Sequence, residues 1–178
     1  MKTLIVYYSH SGNNEKLAYQ LKERLNCDIH KINEVKERKT ISILFDFFFK
    51  RKLKLSHSNT NLKEYDKVIF VAPIWGGIAS PMRVFMDIEK NNLAKYFFIT
   101  LCNGEIGQKE KIDTELYSIL LRRPNEVKEL WINNLLPEEK QNKIKYTFNF
   151  RISEHDLECF NKDIELFIRL VNDCNDVV

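Results

Sequence analysis

Three short stretches combine residue types that could hold an anionic, planar ligand. The first is Ser9-His10-Ser11-Gly12-Asn13-Asn14, between an apolar run and a helical pattern. A helix N-terminus offers unpaired main-chain N–H groups and a partial positive charge, which suits a phosphate dianion. Ser9 and Ser11 add hydroxyl donors, Asn13 and Asn14 add amides, and Gly12 lets the chain turn closely around the anion. The loop contains no Lys or Arg. A nucleotide triphosphatase would want Gly-x4-Gly-Lys-Ser/Thr there, so the loop favours an enclosed phosphate monoester held by neutral donors. Taken alone, it also reads as a plain turn between strand and helix.

The second stretch runs Ala72-Pro73-Ile74-Trp75-Gly76-Gly77-Ile78-Ala79-Ser80-Pro81. Trp75, led in by Pro73 and Ile74, can lie flat against a planar ring. Gly76 and Gly77 let the backbone approach the ring's edge, and their peptides can reorient when a ligand gains a proton. The bland alternative is an aromatic cap on the core followed by a simple turn. The third stretch, Leu101-Cys102-Asn103-Gly104-Glu105-Ile106-Gly107, supplies main-chain donors and small residues for another ligand edge.

No side chain in these stretches is expected to act as a catalytic acid or base. His10 falls between the loop serines and is expected to point outward. Cys102 reads as a small packing residue, because no second Cys stands nearby. Cys27, Cys102, Cys159 and Cys174 are scattered, as are the four His residues, so no metal site is expected.

These stretches need elements to carry them. Residues 3–8, 67–72 and 96–101 are short apolar runs that read as strands, 127–132 (VKELWI) as the last core strand, and 28–33 as a strand nearer an edge. Leu17, Leu21 and Leu25, with Ala18, mark a first helix. Ser80-Pro81 marks a second, with Ser as cap, Pro at the first helical position, and Val84, Phe85 and Ile88 facing inward. Ile112, Leu116, Ile119 and Leu120 mark a third over 109–122. A last helix is expected from Ser153, with Leu157, Phe160, Ile164, Phe167 and Val171 on one stripe. Strands alternating with helices imply a parallel sheet covered on both faces. The reading is one domain over residues 1–178, with variable inserts at 36–63 and 134–152. The latter would be an extra edge strand or an ordered loop.

The motifs resemble those of the flavodoxin family. SHSGNN is similar to its phosphate loop, (S/T)-x-(S/T)-G-N-(T/S). YDKVIFVAPIWGGIASPMRVFMD resembles its second signature, a strand followed by P-x-W-x-G and a Pro-started helix. The likeness in element order covers roughly 1–133 and the final helix. It implies an α/β fold, a doubly wound five-stranded parallel sheet in the order 2-1-3-4-5. It also implies one bound flavin mononucleotide (FMN). By position, Ser9, Ser11, Gly12, Asn13 and Asn14 would hold the phosphate. Pro73, Ile74, Trp75, Gly76 and Gly77 would meet the ring, and Cys102, Asn103, Gly104 and Gly107 would line its pyrimidine side. Two departures stand out: Asn14 replaces the usual hydroxyl residue, and the third loop offers no second stacking aromatic.

The function implied is electron transfer through the flavin, which performs the redox chemistry while the protein tunes it. The partner would be a redox protein, or NAD(P)H and a small acceptor such as a quinone if the chain is an FMN-dependent oxidoreductase. A flavin-free binding module is the third reading. With 28 basic and 25 acidic side chains, the chain is not acidic as many flavodoxin carriers are, and +3 gives no case for nucleic acid. No run approaches the ~20 apolar residues of a membrane span. Dispersed thiols and a short N-terminal apolar run suggest the cytoplasm. The stretch Phe45–Leu55 (FDFFFKRKLKL) is expected to fold its Phe residues over the sheet edge or the flavin site and to expose Lys50, Arg51, Lys52 and Lys54, rather than dock a partner or lipid.

Overall fold

Five short strands follow one another with helix-length connections, so their pairing must be parallel and their crossovers must cover the faces. In a computed structural model, residues 1–34, 60–74, 76–102, 107–147 and 150–174 are described. The strands are β1 (Thr3–Tyr7), β2 (Asp28–Lys31), β3 (Lys67–Val71), β4 (Lys95–Cys102) and β5 (Glu126–Trp131). They form one sheet in the order β2-β1-β3-β4-β5, and every pairing is parallel. The helices are α1 (Asn13–Leu25), α2 (Ser80–Glu89), α3 (Lys109–Leu120), α4 (Glu154–Glu158) and α5 (Asn161–Asp173).

Alternation along each strand builds two cores. Leu4, Val6, Val68, Phe70 and Phe98 face Met82, Phe85 and Met86 of α2 and Ile112, Leu116 and Leu120 of α3. Ile5, Tyr7, Ile69, Val71, Phe97 and Ile99 face Leu17 and Leu21 of α1 and Ile164, Phe167 and Val171 of α5. Each fully buried aliphatic side chain contributes roughly 1.5–3 kcal/mol by leaving water. β1, β3 and β4 are therefore buried on both faces almost throughout, whereas the outer strands β2 and β5 keep partly exposed polar residues.

Lys67 is an exception inside β3. It is 3% exposed, and its Nζ donates to the carbonyls of Val171 (2.6 Å) and Asn172 (3.4 Å). A cation on the last carbonyls of α5 satisfies acceptors that the helix itself leaves unpaired and opposes the negative end of its dipole. Lys67→Met is expected to lower unfolding stability by about 2 kcal/mol, read from urea midpoints, because those carbonyls stay buried without a donor.

His30 on β2 stacks on Phe85, with centroids 5.9 Å apart, and its Nδ1 meets Thr60 Oγ1 at 3.0 Å. Burial holds its pKa below the ordinary histidine value. An unfolded histidine takes its proton near pH 6.5 while the folded one resists it. Stability tied to His30 is therefore complete above about pH 6.5 and is lost as pH falls toward the folded value. His30→Gln should show a smaller drop in denaturation midpoint between pH 7.5 and 5.5 than the parent.

Several expectations are corrected. Ser80 does not cap α2: Ala79 occupies the cap position and Ser80 is already helical. The inward stripe of α2 is Met82, Phe85 and Met86, whereas Ile88 is 64% exposed, because the helix is rotated to set its methionines on the sheet. The stripe from Leu157 to Val171 is buried, but on two helices, and a Ser153–Asp156 capping box starts the first. The 134–152 insert contains short helical turns rather than an edge strand among its described residues: Ile132–Leu135, Glu138–Lys140 and Ile144–Thr147. Most of the 36–63 insert, including Phe45–Leu55, lies outside the described residues, as does Phe148. Among the described residues, no helix is long and apolar enough to cross a membrane.

Candidate functional site

The chain leaves β1 for β2 on one side and later returns to lay β3 on the other. Strand order therefore reverses between β1 and β3, and in open parallel sheets ligands bind beyond the carboxyl ends of the strands at such a reversal. The three stretches singled out in the sequence follow β1, β3 and β4, three neighbouring strands. Local sequence motifs are thus gathered at one edge of the sheet by topology.

The first loop turns into α1 at Gly12, whose φ is +87°. A Cβ there would meet no atom within 4 Å, so glycine is needed for its backbone conformation and not for space. Ser9 Oγ accepts from the Gly12 N–H at 3.1 Å, and Ser11 Oγ accepts from the Asn13 N–H at 3.5 Å. Each hydroxyl keeps its own proton to donate. His10 is exposed.

Asn13 and Asn14 differ from expectation. Their side chains are buried and turned into the protein rather than toward an anion. Asn14 Nδ2 donates to the Leu101 carbonyl (3.2 Å), and its Oδ1 accepts from the Leu101 N–H (2.9 Å). β3 makes its last pair with β4 at Val71 and Ile99. One side-chain amide thus satisfies main-chain groups of β4 beyond the end of its neighbour. Asn13 does the same for the segment after the 134–152 insert: it donates to the Phe150 carbonyl (3.0 Å) and accepts from the Ile152 N–H (3.1 Å). Lys16 Nζ adds a bond to the Ile152 carbonyl at 2.8 Å. With both amides so engaged, α1 begins without any side-chain cap. Beyond Asn13, whose N–H reaches Ser11 Oγ, its first-turn N–H groups are available to an anion, whereas α4 closes its start with its own capping box.

Charge around this helix start is arranged to suit. Glu15 lies in the first turn of α1, where its carboxylate would repel a phosphate. Lys31 Nζ meets its Oε1 at 2.8 Å and the Tyr7 hydroxyl donates to the same oxygen at 2.7 Å. Those two hydrogen bonds hold Glu15 below the usual carboxylate range, while burial and the Glu15 contact push the Tyr7 hydroxyl up. The carboxylate is therefore ionised, paired and held to one side. No sequence signal had marked Tyr7, Glu15 or Lys31.

The second loop closes on itself. The Ala79 N–H donates to the Pro73 carbonyl (3.1 Å), and Ile74 and Ile78 form an antiparallel bridge. Gly76 has a φ of +69°, a backbone conformation that side chains disfavour. Ile74 is buried, so it belongs to the core rather than to a ring surface. Gly77 is restricted by space instead: a Cβ would stand 3.1 Å from Glu115 Oε2. Trp75 lies outside the described residues.

In the third loop, Cys102 is buried and its Sγ donates toward the Leu130 carbonyl at 3.8 Å, so it packs in the core as expected. Gly107 has a φ of +87° at the approach to α3. Asn103, Gly104 and Glu105 lie outside the described residues. Among the described residues, no group of three or more His, Cys, Asp or Glu could hold a metal ion.

No family model and no curated protein matches the sequence. Solved structures do resemble the fold. A flavoprotein from Lactobacillus acidophilus NCFM, solved in complex with FMN, is 18% identical over 72% of this chain and 92% of its own, with a TM-score of 0.56. The apo form of a flavoprotein from the same organism is 20% identical over 72% and 91%, with a TM-score of 0.58. Oxidised flavodoxin 2 from Bacillus cereus is 18% identical over 95% and 99%, with a TM-score of 0.50. The fold is flavodoxin-like: five parallel strands in the order 2-1-3-4-5 with helices on both faces.

Proposed function

We propose that the chain binds one FMN beyond the carboxyl ends of β1 and β3 and takes part in electron transfer through it. The observation that carries this reading is the uncapped start of α1, with Gly12 turned at φ +87° and the Ser9 and Ser11 hydroxyls beside it. Such a set of neutral donors fits a phosphate monoester. The second support is the glycine turn after β3, with Gly76 at φ +69°, at the next strand of the same edge.

The flavin, when bound, supplies the redox chemistry, and the protein's part is to seat and tune it. Gly12 and the first-turn amides of α1 would hold the phosphate, and Ser9 and Ser11 would donate their hydroxyl protons to it. Asn13 and Asn14 hold the loop in shape from behind. Gly76 and Gly77 would meet the ring, as the flavodoxin resemblance implies for Trp75 also, and Asn103, Gly104 and Gly107 would line its pyrimidine side. The redox partner is a protein, or NAD(P)H with a small acceptor.

The deciding experiment is an absorbance spectrum of the purified protein before and after addition of FMN and passage through a desalting column. Retention of flavin bands near 370 and 450 nm at one equivalent is expected. A colourless eluate at micromolar protein would overturn the proposal.

A further inference from the structure

Glu115 stands on α3, 37 positions beyond the turn that it touches. Its Oε2 accepts from the Ile78 N–H at 2.9 Å. The same carboxylate crowds the point where a Cβ of Gly77 would lie, with Oε2 and Oε1 at 3.1 and 3.2 Å from that point. Arg83 of α2 approaches Oε1 at 3.5 Å while bonding Ser80 Oγ at 3.3 Å. The side chain is 19% exposed, so this is a partly desolvated pair and not a surface one. The bridge between Ile74 and Ile78 and the Ala79–Pro73 hydrogen bond close the turn at its base. Only Glu115 braces its outer flank among the described contacts.

The consequence is directional. In a trans peptide the N–H and C=O point opposite ways, and no cis peptide is present among the described residues. With the Ile78 N–H aimed at Glu115, the Gly77 carbonyl must aim away from it.

We propose that Glu115 is a positioning residue for the glycine turn: it locks the 77–78 peptide with the Gly77 carbonyl turned to the ring, and its charge opposes electron gain there. This rests on the FMN reading for its redox half, while the bracing half stands on the apo-protein alone. A side chain at residue 77 would crowd this carboxylate, which would have to give way by a few tenths of an ångström.

Two variants separate the halves. Glu115→Ala removes acceptor and charge together, and Glu115→Gln keeps an oxygen for the Ile78 N–H while removing the charge. In the flavin-free protein, Glu115→Ala is expected to speed amide exchange at Ile78 by about tenfold, as one charge-assisted hydrogen bond is lost. FMN affinity of the same variant should fall by about tenfold. Glu115→Gln should bind FMN within about threefold of the parent. Its equilibrium against a reference dye should shift about tenfold toward reduced flavin, because a nearby negative charge is gone.

Unchanged Ile78 exchange in Glu115→Ala overturns the bracing. An unchanged dye equilibrium in Glu115→Gln overturns the charge effect, and stability loss without either change marks Glu115 as packing alone. If Glu115→Ala does not fold, the Glu115→Gln equilibrium decides. Should the parent take up no FMN, the cofactor reading fails separately, and Ile78 exchange in Glu115→Gln and Glu115→Ala still decides the bracing.

Discussion

Changing Asn14 to aspartate is expected to lower unfolding stability by about 3 kcal/mol and to weaken FMN binding by about a hundredfold. The stability term follows from the paired bonds to Leu101. Aspartate keeps an oxygen for the Leu101 N–H but presents a second oxygen, not a donor, to the Leu101 carbonyl. At 2% exposure that carboxylate has little water to replace the lost partner. It must stay charged beside a carbonyl or take up a proton, and both routes cost free energy. The affinity term follows from place: an anion behind the start of α1 cancels part of the positive end that holds the phosphate. Asn14→Thr, which restores the family's usual hydroxyl, should cost only about 1–2 kcal/mol, because one short side chain reaches one of the two groups. Denaturant midpoints and FMN titrations of both variants check these values. An aspartate variant as stable as the threonine one would show that the Leu101 pairing is not the relevant contact.

Riboflavin should bind about a thousandfold more weakly than FMN. The two ligands differ only in the phosphate, so the ratio reads the first loop in isolation from the ring. Charge-assisted hydrogen bonds are worth roughly 1.5–3 kcal/mol each, so two of them from the loop give about 3–6 kcal/mol, a range that contains the ~4 kcal/mol of a thousandfold ratio. Because the donors are neutral main-chain and hydroxyl groups, the ratio should change less with salt than a site built from exposed cations would. Equilibrium fluorescence titrations in 0.05 and 0.5 M salt measure both quantities. A ratio under tenfold would place the phosphate outside the loop.

The sheet was legible because its physics is local. A run such as residues 68–72 is apolar at every position and short, which suits a strand buried on both faces. The glycine turn and the Ser-Gly loop were legible for a similar reason, since φ near +87° at Gly12 leaves a mark on residue choice. Pairwise commitments across long separations left no mark. Asn14 reads as a loop polar residue until Leu101, 87 positions later, is seen to occupy its amide. Glu115 sits in a helix whose apolar stripe is Ile112, Leu116 and Leu120, and nothing nearby ties it to a glycine turn. Ile88 was misplaced because several rotations of α2 fit an apolar count, and packing of Met82 and Met86 chose among them.

The contact between Asn13 and the segment 150–152 sets an order of events. The main chain that Asn13 grips is made 137 and 139 positions after Asn13 itself. Until then the asparagine amide has no fixed partner, and the helix start can be capped by the chain's own side chain. A nascent chain therefore completes this helix start only when a distant segment arrives and draws Asn13 inward, well after the loop itself has been made.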